Sequence, residues 1–316
     1  MSLFSSLFGK SKPTETVKFE TLRDDGVRAM QIGELPYAEK CLLAALDLRH
    51  DLKAIGFLAE VYLRMQQYDK ALPRLEELAA APEATTDVKL LLAETQGHLE
   101  LWADQRATCR ALLDEMPDDP RVLFLAAEAD YGLDAPFEAI AHLTQSLALR
   151  DDYQAPRLLR ARILADMGQW NEVLPDTEVL LAADGENEAF IQLHAEALTA
   201  LGKVEEATAV WEQLRALNPF NQEAVLALGA LYEQAAHWDK ALALYDEAID
   251  LQPDFAGAYK ARGGVRHHLK DDLGAADDLK RSLELAPEKA AELDGEYTNV
   301  ENQMNARYRS MNPYGF

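Results

Sequence analysis

An all-α solenoid of stacked antiparallel helix hairpins is the fold this sequence predicts, and three observations carry that expectation. The composition is helix-forming: Ala, Leu and Glu dominate, Gly and Pro number 16 and 13 in 316 residues, and β-branched residues are thin. Pro219, Pro253 and Pro287 stand 34 residues apart. Small residues recur in the same register along most of the chain.

The register is clearest between the first two of these prolines, where Leu228-Gly229-x-x-Tyr232 is followed by Ala241-x-x-x-Tyr245 and then Pro253. Stepping it back gives unit starts near Phe19, Leu52, Thr86, Pro120, Gln154, Glu188, Gln222 and Ala256, with only the first step 33 rather than 34. The eighth residue of each unit is then Gly26, Ala59, Ala93, Ala127, Ala161, Ala195, Gly229 or Gly263, every one small. It faces the twentieth residue, and neither can be bulky if two helix axes approach to about 8–10 Å. That twentieth position is Ala in six units, while Gln105 and Val173 depart from it and predict less regular packing there. Gly33, Gly168 and Gly202 mark turns where a first helix ends in the left-handed conformation. Tyr68, Trp102, Trp170 and Trp238 share the seventeenth position and read as aromatic packing at the start of each second helix.

The sequence Leu-Gly-x-x-Tyr, an Ala, an aromatic residue four further on and a closing Pro within 34 residues resembles the tetratricopeptide repeat family. The resemblance covers roughly residues 19–289. It implies a right-handed superhelical solenoid of about eight hairpins. The closing Pro is missing from four units, where His50, Glu83, Asp151 and Gly185 stand instead. After Pro287 the apolar residues Leu293, Tyr297, Val300, Met304 and Tyr308 recur at helical spacing. Residues 290–316 are therefore expected to form a C-terminal capping helix and tail, and residues 1–18 an apolar or flexible leading segment.

In this family the first helices line a concave groove that takes partner segments, so the resemblance also implies groove positions. The ninth residues are Val27, Glu60, Glu94, Glu128, Arg162, Glu196, Ala230 and Gly264. Glu60, Glu94 and Glu128 form a ladder that Arg162 and Glu196 extend, although the helix propensity of glutamate accounts for such a run equally well. Arg23, Lys53, Arg64 and Arg121 interleave with it, and Lys260, His267 and His268 make the far end more basic. Tyr131, Phe57, Phe124 and Leu226 are either apolar groove contacts or packing between repeats. Members that grip chaperone C-terminal carboxylates need Lys at the fifth and Asn at the ninth position, with Asn at the sixth of the next unit. Here Lys260 faces Gly264 and no unit has Asn at either place, which disfavours that role.

Other classes are disfavoured by charge and by missing motifs. A formal charge of −24, from 55 acidic and 31 basic residues, repels nucleic acid and anionic membranes. Cys41 and Cys109, far apart, read as core thiols in a reducing compartment. No nucleophile motif, phosphate loop, dinucleotide fingerprint or cysteine pair at metal spacing is present, so no catalysis, cofactor or metal is expected. The neighbouring His267-His268 and Asp271-Asp272 diverge by roughly 100° around a helix and cannot all converge on one ion. No stretch has the length of a membrane span, and the N-terminus does not read as a secretory signal, which makes the cytoplasm the expected compartment. Leu3, Phe4, Leu7 and Phe8 leave membrane contact open through residues 1–12 alone. The expected function is a protein-interaction scaffold that binds a protein or peptide segment in its groove. A membrane-proximal assembly factor, or a regulatory subunit of a separate enzyme, are the alternatives.

Overall fold

The computed structural model describes residues 14–287, and the expected capping helix, the C-terminal tail and the apolar positions of residues 1–13 lie outside that range. Sixteen α-helices make up the described chain, with no strand among the described residues. The chain divides into two compact units, residues 1–163 and 164–316. The first holds α1 (Glu15–Gln31), α2 (Leu35–Leu48), α3 (Leu52–Arg64), α4 (Tyr68–Ala79), α5 (Thr86–His98), α6 (Trp102–Glu115), α7 (Pro120–Gly132) and α8 (Pro136–Leu149). The division falls within α9 (Gln154–Asp166). The second holds α10 (Trp170–Ala183), α11 (Glu188–Ala200), α12 (Val204–Leu217), α13 (Gln222–Gln234), α14 (Trp238–Leu251), α15 (Ala256–His268) and α16 (Asp272–Leu285).

Local sequence sets most of the odd-numbered helix starts. Thr14, Asp51, Thr85, Asp119, Asn187 and Asn221 each accept a hydrogen bond from a first-turn backbone N–H, which satisfies a donor that would otherwise have no partner. The Thr14 cap starts α1 at Glu15, so the first helix takes in residues 15–18 of the segment assigned to the leading tail. Most even-numbered helices lack a side-chain cap and begin straight after a tight turn. In each turn one residue has positive φ: Gly33, Gln66, Glu100, Asp134, Gly168, Gly202, Ala236 or Lys270. The next N–H reaches back five residues, as in Glu34 to Ala29 at 2.9 Å and His237 to Tyr232 at 2.8 Å. This closure ties off a helix C-terminus and reverses the chain.

Close packing within each hairpin rests on the small residues. Ala93, Ala127, Ala161 and Ala195 are fully buried, as are their partners at the twentieth position, Gln105 and Val173 included. Where glycine stands in the register the reason is a large neighbour: a Cβ on Gly229 would overlap the Tyr245 hydroxyl, and one on Gly26 would lie 2.7 Å from Leu42 Cγ. The first unit's core runs from Phe19, Ala45 and Ala54 through a cluster around Leu42, Leu58 and Leu75 to Leu90, Cys109 and Leu112. The second unit has a continuous core built around Trp211 and Tyr245. Their polar tips are satisfied, since Trp211 Nε1 donates to Thr199 at 3.0 Å and Tyr245 donates to Glu233 at 2.9 Å. No helix among the described residues is long and apolar enough to cross a membrane.

Candidate interaction site

The first unit contains a half-open cavity of about 350 Å³ between α5, α6, α7 and the segment leading into α9. Helix α5 contributes Glu94, Gly97 and His98, helix α6 contributes Trp102, and helix α7 contributes Arg121, Phe124, Leu125 and Glu128. Tyr153 closes one side and packs against Phe124, with ring centroids 5.7 Å apart. His98 is held by stacking on Tyr68 at 4.2 Å. Three aromatic side chains and two carboxylates thus face one small space.

The charges in this space are unevenly matched. Arg121 is committed to Asp119 through two hydrogen bonds, Nη2 to Oδ2 at 2.8 Å and Nε to Oδ1 at 3.2 Å. That pairing holds the Asp119 carboxyl below its ordinary range. No ion pair joins Glu94 or Glu128 to a basic side chain among the described residues. Burial pushes the Glu128 carboxyl up to about 7, with the Gln105 amide opposing and the charge of Glu94 adding to it. Glu94, the more exposed of the two, is also raised by desolvation.

Beneath the cavity lies Gln105, which stands where most hairpins have alanine. Its side chain is fully buried; the carbonyl oxygen lacks a hydrogen-bond partner, and the amide nitrogen lies near the Glu128 carboxyl but outside good hydrogen-bond geometry. The amide fits only because residue 97 is glycine: a Cβ there would come within 2.6 Å of Gln105 Nε2. Gln105 therefore rests against Gly97 and beside the Glu128 carboxyl, both of which line the cavity. Buried amides are nearly always paired in folded proteins, so this one marks a place where the protein alone does not complete its hydrogen bonding.

The structure brings Glu94 and Glu128 of the expected ladder into one cavity, while Glu60 is engaged by Arg64 one turn along α3. Arg162 and Tyr131 are exposed. In the second unit Glu196 accepts from Gln192 at 3.0 Å, Lys260 is exposed, and His267 pairs with Asp272 at 2.8 Å. The neighbouring His268 stacks on Trp238 at 3.7 Å and Asp271 caps α16, so apart from the His267–Asp272 pair the residues of that cluster have separate roles. Gly97, His98, Trp102, Gln105 and Tyr153 were not legible as site residues. Of these, Gln105 carries a signal as a polar residue in a small-residue position, and Trp102 as one of three tryptophans spaced by twice the repeat. Both cysteines are free and buried, and desolvation pushes the Cys109 thiol up to about 12, which suppresses the reactive thiolate. A more open groove of about 650 Å³ between α6, α7 and α8 surrounds the buried Asp130. Asp130 is already paired with Arg106 at 3.0 Å and His142 at 2.8 Å.

The tetratricopeptide repeat family model matches residues 58–120 and 226–290, one segment in each unit. No curated protein sequence matches the chain. Among solved structures, it is similar to YrrB, described as a TPR protein with an unusual peptide-binding site. The two are 17% identical with a TM-score of 0.50, over 60% of this chain and 97% of that one. It is similar also to MamA from residue 41 to the end, of Desulfovibrio magneticus RS-1, at 18% identity and a TM-score of 0.50, over 54% of this chain and 97% of that one. A further MamA structure is 19% identical with a TM-score of 0.50, over 54% and 94% of the two chains. These likenesses concern the fold. Repeat register, hairpin geometry and the family match agree that residues 58–120 and 226–290 are tetratricopeptide repeats.

Proposed function

We propose that this protein is an interaction scaffold that binds a polypeptide segment over the α5–α7 face of its first unit, and that it acts by binding and not by catalysis. The observation that carries this reading is the cavity itself. It joins aromatic side chains, which offer large contact area at low entropic cost, to two carboxylates, Glu94 and Glu128, that no basic side chain pairs among the described residues. YrrB, a structure of the same fold, is described as having a peptide-binding site, and a polypeptide ligand here is of the same class.

The reading is tested by affinity capture from the native lysate with wild type and with a Glu94→Lys, Tyr153→Ser double variant whose helicity matches wild type by circular dichroism. Polypeptides held by wild type and released by the variant support it. An identical set of captured polypeptides removes binding from this face.

A further inference from the structure

We propose that the α5–α7 cavity takes the cationic side chain of an arginine or lysine from the bound polypeptide, seated between Glu94 and Glu128 and against Trp102, Phe124 and Tyr153. This rests on the scaffold reading above and specifies what the scaffold recognises.

Charge complementarity selects the ligand. Glu94 and Glu128 face the cavity without a direct ion pair: Arg121, which also lines it and acts on Glu94 at longer range, spends its hydrogen bonds on Asp119. An acidic side chain would meet two carboxylates. An apolar one would seal the Glu94 and Glu128 carboxyls away from water with no charge partner, which is the costly way to bury such groups. A guanidinium or ammonium group instead supplies several N–H donors, enough for both carboxylates. The aromatic walls suit the same ligand, since a cation is drawn to the faces of such rings. The volume of about 350 Å³ is near the lower end of the usual range of roughly 300–1,000 Å³ for ligand sites, the scale of a side chain with its flanking backbone.

Protonation gives a further readout. Around Glu128 stand Glu94 and His98 from α5, Gln105 and Cys109 from α6, Arg121 from its own helix, and Tyr153 before α9. Because burial holds Glu128 partly protonated near neutrality, seating a cation beside it expels a proton. Affinity for arginine therefore strengthens as pH rises from 6 to 8, although arginine itself does not titrate there.

The test uses the full chain with ¹⁵N-labelled tryptophan, its Trp102 indole signal assigned from Trp102→Phe. It is titrated with N-acetyl-arginine methylamide and with the neutral isostere N-acetyl-citrulline methylamide. The proposal expects the arginine derivative to move the Trp102 signal and citrulline to bind at least about tenfold more weakly, as the loss of a charge-assisted bond implies. Glu128→Gln abolishes the difference, and Glu83→Gln, an equal charge change on an exposed residue outside the cavity, preserves it. Should Glu128→Gln fail to fold, the more exposed Glu94→Gln provides the same contrast. Equal responses to the two derivatives, or none at Trp102, overturn the assignment.

Heptapeptides selected by display on the full chain separate this proposal from the scaffold reading. A basic residue fixed at one position, and lost on Glu128→Gln, supports both. Selected peptides that bind this face with no basic position overturn the pocket assignment and leave the scaffold standing. A free arginine derivative that binds more tightly than every selected peptide marks a small-amine site and overturns the polypeptide ligand.

Discussion

The indole of Trp102 lies flat over Gly132, so close that a Cβ on residue 132 would overlap the ring. The same thirty-residue offset stacks Tyr68 on His98 and Trp238 on His268. The aromatic residue that opens a second helix thus rests on the end of the next first helix. At Trp102 this contact also fixes a wall of the cavity. Gly132→Ala is expected to destabilise by about 1–3 kcal/mol, the usual effect of overpacking. Gly264 faces open space, so Gly264→Ala is expected to stabilise by about 0.5–1 kcal/mol through helix propensity alone. Thermal unfolding of the two variants checks the opposite signs.

Glu128 makes stability depend on pH. Its folded-state value of about 7 lies above the ordinary 4.5, so the native chain holds a proton that the unfolded chain releases. Stability contributed at this site therefore falls as pH rises from about 4.5 to about 7, and the loss is complete above that window, amounting to at most about 3 kcal/mol. Glu128→Gln removes the charge that burial disfavours. Its melting temperature is expected to exceed that of wild type at pH 8, with the gain shrinking towards zero at pH 5.

The turn residues make a separate prediction. Ala236 is held at φ 55°, a conformation that costs a non-glycine residue about 1–2 kcal/mol. Ala236→Gly is expected to gain about 0.5–1 kcal/mol, the remainder being lost to the entropy of glycine in the unfolded chain. Gly202, at φ 71° in the equivalent turn, gives the converse, with Gly202→Ala expected to lose about 1 kcal/mol. Urea unfolding with an unchanged slope would read both.

In the second unit Asp278 is almost wholly buried and is held by Arg262 at 2.6 and 2.9 Å and by Arg266 at 3.0 Å. Arg262 also reaches Asp246 at 2.6 Å, and these carboxylates push its guanidinium value up. Asp278→Ala leaves Arg262, only 13% exposed, with Asp246 as its remaining carboxylate, so the expected loss is about 3 kcal/mol, the lower end for breaking a buried pair. Replacing Arg262 by Met and Asp278 by Leu together is expected to recover most of that loss, because a buried ion pair is weak evidence of net stabilisation. Guanidinium unfolding of the single and double variants measures the coupling.

Much of the fold is legible in the sequence because its determinants are local and periodic. Ala93, Ala127 and Ala161 announce close helix contact by their spacing alone, and Gly33, Gly168 and Gly202 announce turns. Gln66, Glu100, Asp134, Ala236 and Lys270 take the same turn conformation without a sequence signal, because the helix-terminating hydrogen bond imposes it on whatever residue stands there. The site is less legible for a different reason. Glu94 and Glu128 follow from the register, but their environment depends on Trp102 from a second helix, on Tyr153 from a connection, and on Gly97 making room for Gln105. Those contacts join residues that no repeat position links.

A polypeptide lying over the α5–α7 face can be detected directly. The direct measurement places a photoreactive p-benzoylphenylalanine at position 153 and, separately, at the exposed Phe137 on α8, in the full chain within native lysate. A discrete polypeptide cross-linked from position 153, absent from position 137, and reduced by excess N-acetyl-arginine methylamide is the predicted result. Cross-links of equal identity and yield from both positions, or none from position 153, would contradict it.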